Sequence, residues 1–307
     1  MTEQRYLSLS LTATLLLSGF GVTMGLVSGS IAIAFDAVYA LIDAAMTLLA
    51  LIVSRLIHQT TRPGAAGERL VKRFNMGLWH LEPLVVALNG CLLMAITLYG
   101  FVNAVTSVAA GGTDTDFGPA LIYTGGAVML CATVLFAGRH QANRLDSDLI
   151  RLDIKGWTMS GIITSALFVA FLIGFLLDGT AHAWILPYVD PVVLAVVSLA
   201  VAPRPVRIVY QAFREVLMVT PPELRQLVDR VATETVAKQG FLDYRAYVAE
   251  VGRAEQIDLY FIVPPGHPAQ PIEDWDELRD EIGEAIGAED PNRWLTITFT
   301  ADPEWAE

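Results

Sequence analysis

Apolar positions in this chain come in long runs. Windows of about 20 residues with little or no charge occur at Tyr6–Val27, Ser30–Ile57, Trp79–Ala109, Pro119–Gly138, Gly156–Leu177 and Pro191–Val209. Each is long enough to cross a bilayer as a helix, so the pattern predicts six transmembrane helices. The run after Arg5 is as long as a span and has no convincing cleavage signature, so it is expected to stay as the first helix. Ser28-Gly29 reads as a tight turn, GGTDTDFGP at 111–119 as a loop of turn formers, and TRPGAAGERL at 61–70 as a linker.

After Pro221-Pro222 the period changes. Leu224, Leu227, Val228 and Val231 recur at helical spacing in a segment running to about Gln239. Tyr244–Val251 and Gln256–Val263 read as strands with Gly252 near their turn. Trp275, Leu278, Ile282 and Ile286 mark a second helix, and Trp294–Thr300 a third strand. The expected architecture is a six-helix transmembrane domain at 1–212, followed by a small ferredoxin-like α+β domain of order α-β-β-α-β at 213–307.

Composition agrees: 54% of the residues are hydrophobic and only 17% are charged. The formal net charge of −12 comes from the C-terminal part, since the first 212 residues balance acid against base. An acidic soluble domain disfavours nucleic acid and anionic lipid. Basic residues cluster after the second span (Arg55, Arg62, Arg69, Lys72, Arg73) and after the fourth (Arg139, Arg144, Arg151, Lys155). The other connections between spans have no Lys or Arg and carry Asp114, Asp116 and Asp178, so both termini are expected on the cytoplasmic side of a plasma membrane. Cys91 and Cys131 fall in apolar runs and suggest neither a disulfide framework nor a thiolate metal site. No nucleotide loop and no nucleophile-base motif is present, so neither an enzyme nor a bound cofactor is expected.

The chemistry concentrates in the second run. Asp36, Tyr39 and Asp43 share one face of its helix. A carboxylate in hydrocarbon costs a few kcal/mol or more, and such residues normally line a bundle interior, a water-filled cavity or an ion path. The same reasoning marks Asp153 at the start of the fifth run, with Lys155 close by as a rival partner or an interfacial anchor. His80 and Glu82 open the third run, as a titratable contact or as a pair holding helix ends. His182, Asp178 and Asp190 lie outside the spans or at their ends, where capping or contact with water is expected. His267, with no Cys or second His near it in the sequence, makes a strong regulatory zinc site improbable.

Several segments together resemble the cation diffusion facilitator (cation efflux) family. SGSIAIAFDAVYALID resembles its second-span signature, and FNMGLWHLEPLVVALNG the entry to its third span. DIKGWTMSG is similar to its fifth-span signature, VDPVVLAVVSLAV to the start of its sixth, and REVLMVTPPEL to the junction with its cytoplasmic domain. The resemblance implies a homodimeric exporter of divalent metals such as zinc, cadmium, cobalt, iron or manganese against protons. It also implies a tetrahedral site at Tyr39 and Asp43 of the second span and at Gly156 and Ser160 of the fifth.

This chain is divergent, because Asp43 is the one strong ligand among those four. An oxygen-rich set of Asp43, Tyr39, Asp36, Ser160 and Asp153 would suit harder cations, manganese, magnesium or calcium, better than zinc. Met218 stands where an acidic residue is expected, and His80 where Lys or Arg is, so the family's charge contact between subunits is not reproduced. The alternatives are a transporter of a monovalent or organic cation, with Tyr39 and Trp157 as an aromatic surface, or a non-transporting dimer subunit.

Overall fold

A computed structural model describes residues 3–61, 78–145, 148–252, 254–287 and 292–306, without the side chains of 3–5, 58–61, 141–145 and 148–152. The basic residues Arg62, Arg69, Lys72 and Arg73, most of the 61–70 linker and the segment 74–77 lie outside the described residues, as do the side chains of Arg144 and Arg151. The helices are α1 (Glu3–Ser28), α2 (Ile31–Thr61), α3 (Leu81–Ala109), α4 (Phe117–Leu145), α5 (Asp148–Leu177), α6 (Leu186–Val201) and α7 (Pro203–Val216). Then come α8 (Pro222–Gln239), β1 (Asp243–Val251), β2 (Ala254–Ile262), α9 (Ile272–Ile286) and β3 (Arg293–Thr300).

Among the described residues, six stretches are apolar and long enough to cross a bilayer: Tyr6–Ser28, Ile31–Ile57, Leu81–Ala109, Phe117–His140, Asp153–Leu177 and Ala183–Val216. These are the six expected spans, with two differences. The fifth helix begins earlier than the apolar run and so includes Asp153, because helix propagation continues through the polar DLIRLD segment. The sixth span is interrupted at Ala202, where Pro203 and Pro205 bring no backbone N–H and start a new helix, α7.

The chain forms two compact units, Met1–Leu49 with Leu88–Ile208 and Ala50–Ala87 with Val209–Glu307. In the first unit, Ile33 and Phe35 of α2 pack with Tyr123 of α4, Phe171 of α5 and Leu194 of α6. Small residues allow close approach between helices. A Cβ on Gly21 would lie 2.7 Å from the Ala37 Cβ, and one on Gly25 would lie 2.8 Å from the Ala34 nitrogen. Side chains such as Leu16, Leu98, Ile122 and Phe136 face outward, as a helix surface meeting lipid requires. Hydroxyls on Thr97, Thr124 and Thr164 donate to the carbonyl four residues back, which satisfies them without water.

One end of this unit is tied together by backbone bonds. Gly29 turns at φ 70, where a side chain would strain the backbone, and the Asp116 N–H donates to Ser28 O at 2.8 Å. Thr113 N–H donates to Pro187 O at 2.8 Å. The start of α2 is held by the fully buried Asp190 of α6. Ser30 Oγ donates to Asp190 Oδ1, Ile31 N–H donates to Oδ2 at 3.0 Å, and Ala32 N–H donates to Oδ1 at 3.3 Å. Ile33 N–H in turn donates to Ser30 Oγ at 3.1 Å, so the first three N–H groups of α2 all find acceptors. Asp190 does cap a helix, as expected, but the helix is α2 and not its own.

In the second unit, Met218 adopts φ 55 after α7 while Val219 N–H donates to Arg214 O at 2.9 Å, which closes the helix. The sheet order is β1-β2-β3, antiparallel between β1 and β2 and parallel between β2 and β3. Ile257, Leu259 and Phe261 alternate inward along β2 and pack with Val228 and Val231 of α8 and Ile282 and Ile286 of α9. Both helices therefore lie on one sheet face, the two-layer α+β arrangement expected, and Gly252 turns the β1–β2 hairpin at φ 61.

Asp190→Ala removes the acceptor of three donors and is expected to destabilise the full-length protein by about 2–4 kcal/mol. Asp190→Asn keeps one oxygen and should cost about half as much. Thermal unfolding in detergent measures both, and an unchanged midpoint would show that the cap does not hold α2.

Candidate cation-binding residues

The Asp190 cap fixes where α2 begins, and so fixes where its polar face meets the other helices. Asp36, Tyr39 and Asp43 lie along that face, and each meets different neighbours. Asp36, partly buried, stands beside Thr164 of α5, with Tyr123 and Cys131 of α4 within its electrostatic reach. Thr164 Oγ1 donates to Ser160 O at 2.9 Å, and the buried Cys131 is close to the Ser160 side chain. Ser160 therefore joins the surroundings of Asp36 through α4.

Asp43 lies two turns along α2, about 10 Å by helix rise. Its Oδ2 is 3.6 Å from a guanidinium nitrogen of Arg204 in α7, and the two side chains keep 33% and 47% of their exposure. Tyr39 packs against Phe35 with ring centroids 6.0 Å apart and stands within electrostatic reach of both Asp43 and Arg204. Its hydroxyl is buried and has no hydrogen-bond partner among the described residues.

Asp153 lies elsewhere. Ser10 of α1 donates a shared hydrogen bond to both of its oxygens at 2.8 Å, and Trp157 Nε1 donates to Ser10 Oγ at 2.7 Å. Buried Tyr6 stands beside the same carboxylate. Lys155 is exposed, consistent with an interfacial anchor. Gly156 is also exposed, and a Cβ there would meet nothing within 4 Å. Among the described residues no three His, Cys, Asp or Glu side chains converge as a metal cluster.

A family model described as the cation efflux transmembrane domain matches residues 7–217. The chain belongs to the cation efflux family. A search of curated proteins returned no match. Members of this family are cation transporters, and this one is accordingly a multi-pass membrane protein that moves cations. Of the four positions expected from the resemblance, Tyr39 and Asp43 lie together, Ser160 lies toward Asp36, and Gly156 has no side chain to offer.

Several neighbours were not singled out from the sequence: Arg204, Thr164, Tyr123, Cys131 and Ser10. Arg204 alone carried a usable signal, a positive charge inside the sixth apolar window next to two prolines. Other expected site residues lie apart from these carboxylates. His182 and Asp178 are exposed, and His182 N–H donates to Thr180 Oγ1 at 3.2 Å. In the second unit, exposed His80 lines a small cavity of about 30 Å³ with Trp79, Glu255 and Trp294, and His267 packs edge-on against Trp275.

Ser10→Ala removes the donor to Asp153 and the acceptor of Trp157. It should cost about 1–3 kcal/mol, read as a lower unfolding midpoint of the full-length protein, with Ser10→Thr recovering most of it. Equal midpoints for the Ala variant and the wild type would remove the proposed bond network.

Proposed function

We propose that this cation efflux protein is a secondary exporter of a divalent cation in exchange for protons, working as a homodimer with both termini on the cytoplasmic side of a bacterial inner membrane. The observation that carries the reading is Asp43, a carboxylate in the second span of a cation efflux domain, beside a buried Tyr39 hydroxyl that has no partner among the described residues. Asp43 and Tyr39 form the central station. Asp36, with Ser160 and Thr164, forms a second station about 10 Å along the helix, and Asp153 a third acidic group on α5. All their donors are oxygens, which favours manganese-like over zinc-like cargo within the family's range of manganese, cobalt, iron, zinc and cadmium.

Exchange against protons fits the same carboxylates, because a group that releases a cation in exchange for a proton returns through the membrane without net charge. The basic residues that follow the second and fourth spans support the orientation. Dimerisation follows the general habit of the family, and the small α+β unit gains stability by pairing with a copy of itself.

A second reading, a monovalent or organic cation as cargo, is favoured by one observation. The group that lies on Asp43 is itself a monovalent guanidinium, and no three strong metal ligands converge among the described residues.

Purified protein in liposomes holding a metal-sensitive dye should take up Mn²⁺ when a proton gradient is imposed, and collapsing that gradient with an ionophore should slow uptake. Asp43→Asn should reduce the rate at least tenfold. Mn²⁺ uptake that is unchanged in the Asn variant would remove Asp43 from the pathway. Wild-type liposomes that move an organic cation but no divalent metal would select the second reading, and no flux of any cation would leave the chain as a non-transporting subunit.

A further inference from the structure

We propose that Arg204 is a tethered counter-cation that competes with the transported cation for Asp43 and thereby sets the transporter's affinity. The proposal rests on Asp43 being the cation-binding carboxylate, and the experiment below separates the two.

Arg204 is the second residue of α7 and lies inside the sixth apolar span, where an unpaired charge is costly. The break at Ala202, followed by Pro203 and Pro205, starts α7 where the Arg204 side chain reaches the second span. There it finds Asp43, whose opposite charge offsets that cost.

The pair is loose. At 3.6 Å it is an ion pair outside hydrogen-bond distance, and both partners keep a third or more of their exposure. Asp190, by contrast, is fully buried and accepts three hydrogen bonds. Asp43 is thus neutralised without being locked, and an arriving cation can displace the guanidinium. The Tyr39 hydroxyl gives an independent indication. It is buried beside the pair with no partner among the described residues, an oxygen that the ion-paired state leaves unused and that a cation on Asp43 would engage.

Competition has a calculable effect. If the pair is closed about nine-tenths of the time, only a tenth of the sites are open and the apparent dissociation constant rises about tenfold. Removing the positive charge should therefore tighten binding, opposite to the usual effect of substituting a residue next to a binding site.

The test uses full-length protein with Mn²⁺ as the probe, measuring free Mn²⁺ by electron paramagnetic resonance in detergent and KM for Mn²⁺ uptake in liposomes. Arg204→Gln and Arg204→Leu should each lower the dissociation constant and KM about tenfold, and Arg204→Lys should stay within about threefold of wild type. Arg204→Glu, which adds a second carboxylate, should bind tightest. In the Asp43→Asn background the same substitutions should change nothing, because the contested group is gone.

Unchanged or weaker Mn²⁺ binding in both neutral variants would overturn the proposal, as would a loss of maximal rate with KM unmoved. Absence of Mn²⁺ binding in wild type and neutral variants alike would also overturn it. Tighter binding in the neutral variants that depends on Asp43, with no flux from any form, would leave the competition standing and remove the transport reading instead.

Discussion

Inside a bilayer a carboxylate has no water to fall back on, so each one must find hydrogen bonds or a counter-charge within the chain. That constraint sorts the four carboxylates discussed for the first unit. Asp190 is fully buried and takes three donors, two of them backbone N–H groups at a helix start. Asp153 accepts from Ser10 on both oxygens. Asp36 stands beside Thr164, and Asp43 has a guanidinium 3.6 Å away. The more completely a carboxylate is satisfied by fixed groups, the less it can give to a passing ion. Asp190 is therefore structural, and Asp36 and Asp43 are the groups with binding capacity to spare.

The structural carboxylate governs the functional one. A helix start held through three consecutive N–H groups has one rotation and one depth. Seen from Ser30, the residues that follow have no freedom to turn Asp36, Tyr39 and Asp43 toward lipid. Gly21 and Gly25 add to this, because close approach of α1 to Ala34 and Ala37 fills the adjacent face of α2. The rotation of α2 is thus decided at one end of the span, away from the charges it carries.

Much of this was legible in the residues. Six spans follow from apolar length, and the α-β-β-α-β order follows from a change of period at Pro221-Pro222, because both signals are local. Second-span chemistry was legible for a different reason: an Asp in an apolar window is costly enough to stand out. Its partners were not, because they come from other helices. Ser10 is an ordinary helical serine until α5 brings Asp153 to it. Asp190 reads as a cap, but nothing in its neighbourhood says that the capped helix is the second one. Lys155 looked like the natural rival for Asp153, yet it is exposed and the carboxylate turns to α1. Arg204 sits with Arg207 and Arg214 near the end of the last span, and nothing in its neighbourhood points to Asp43.

A weak ligand set and a tethered arginine fit together physically. A carrier must bind its cargo well enough to load and poorly enough to unload, so affinity beyond that balance slows release. Here one carboxylate, a tyrosine hydroxyl and water would hold the ion, and Arg204 stands ready to retake the carboxylate as the ion leaves. The guanidinium then leaves the empty site neutral for the return step. A sparse ligand set in the second and fifth spans and a positive charge in the sixth act on this view in the same direction, toward release.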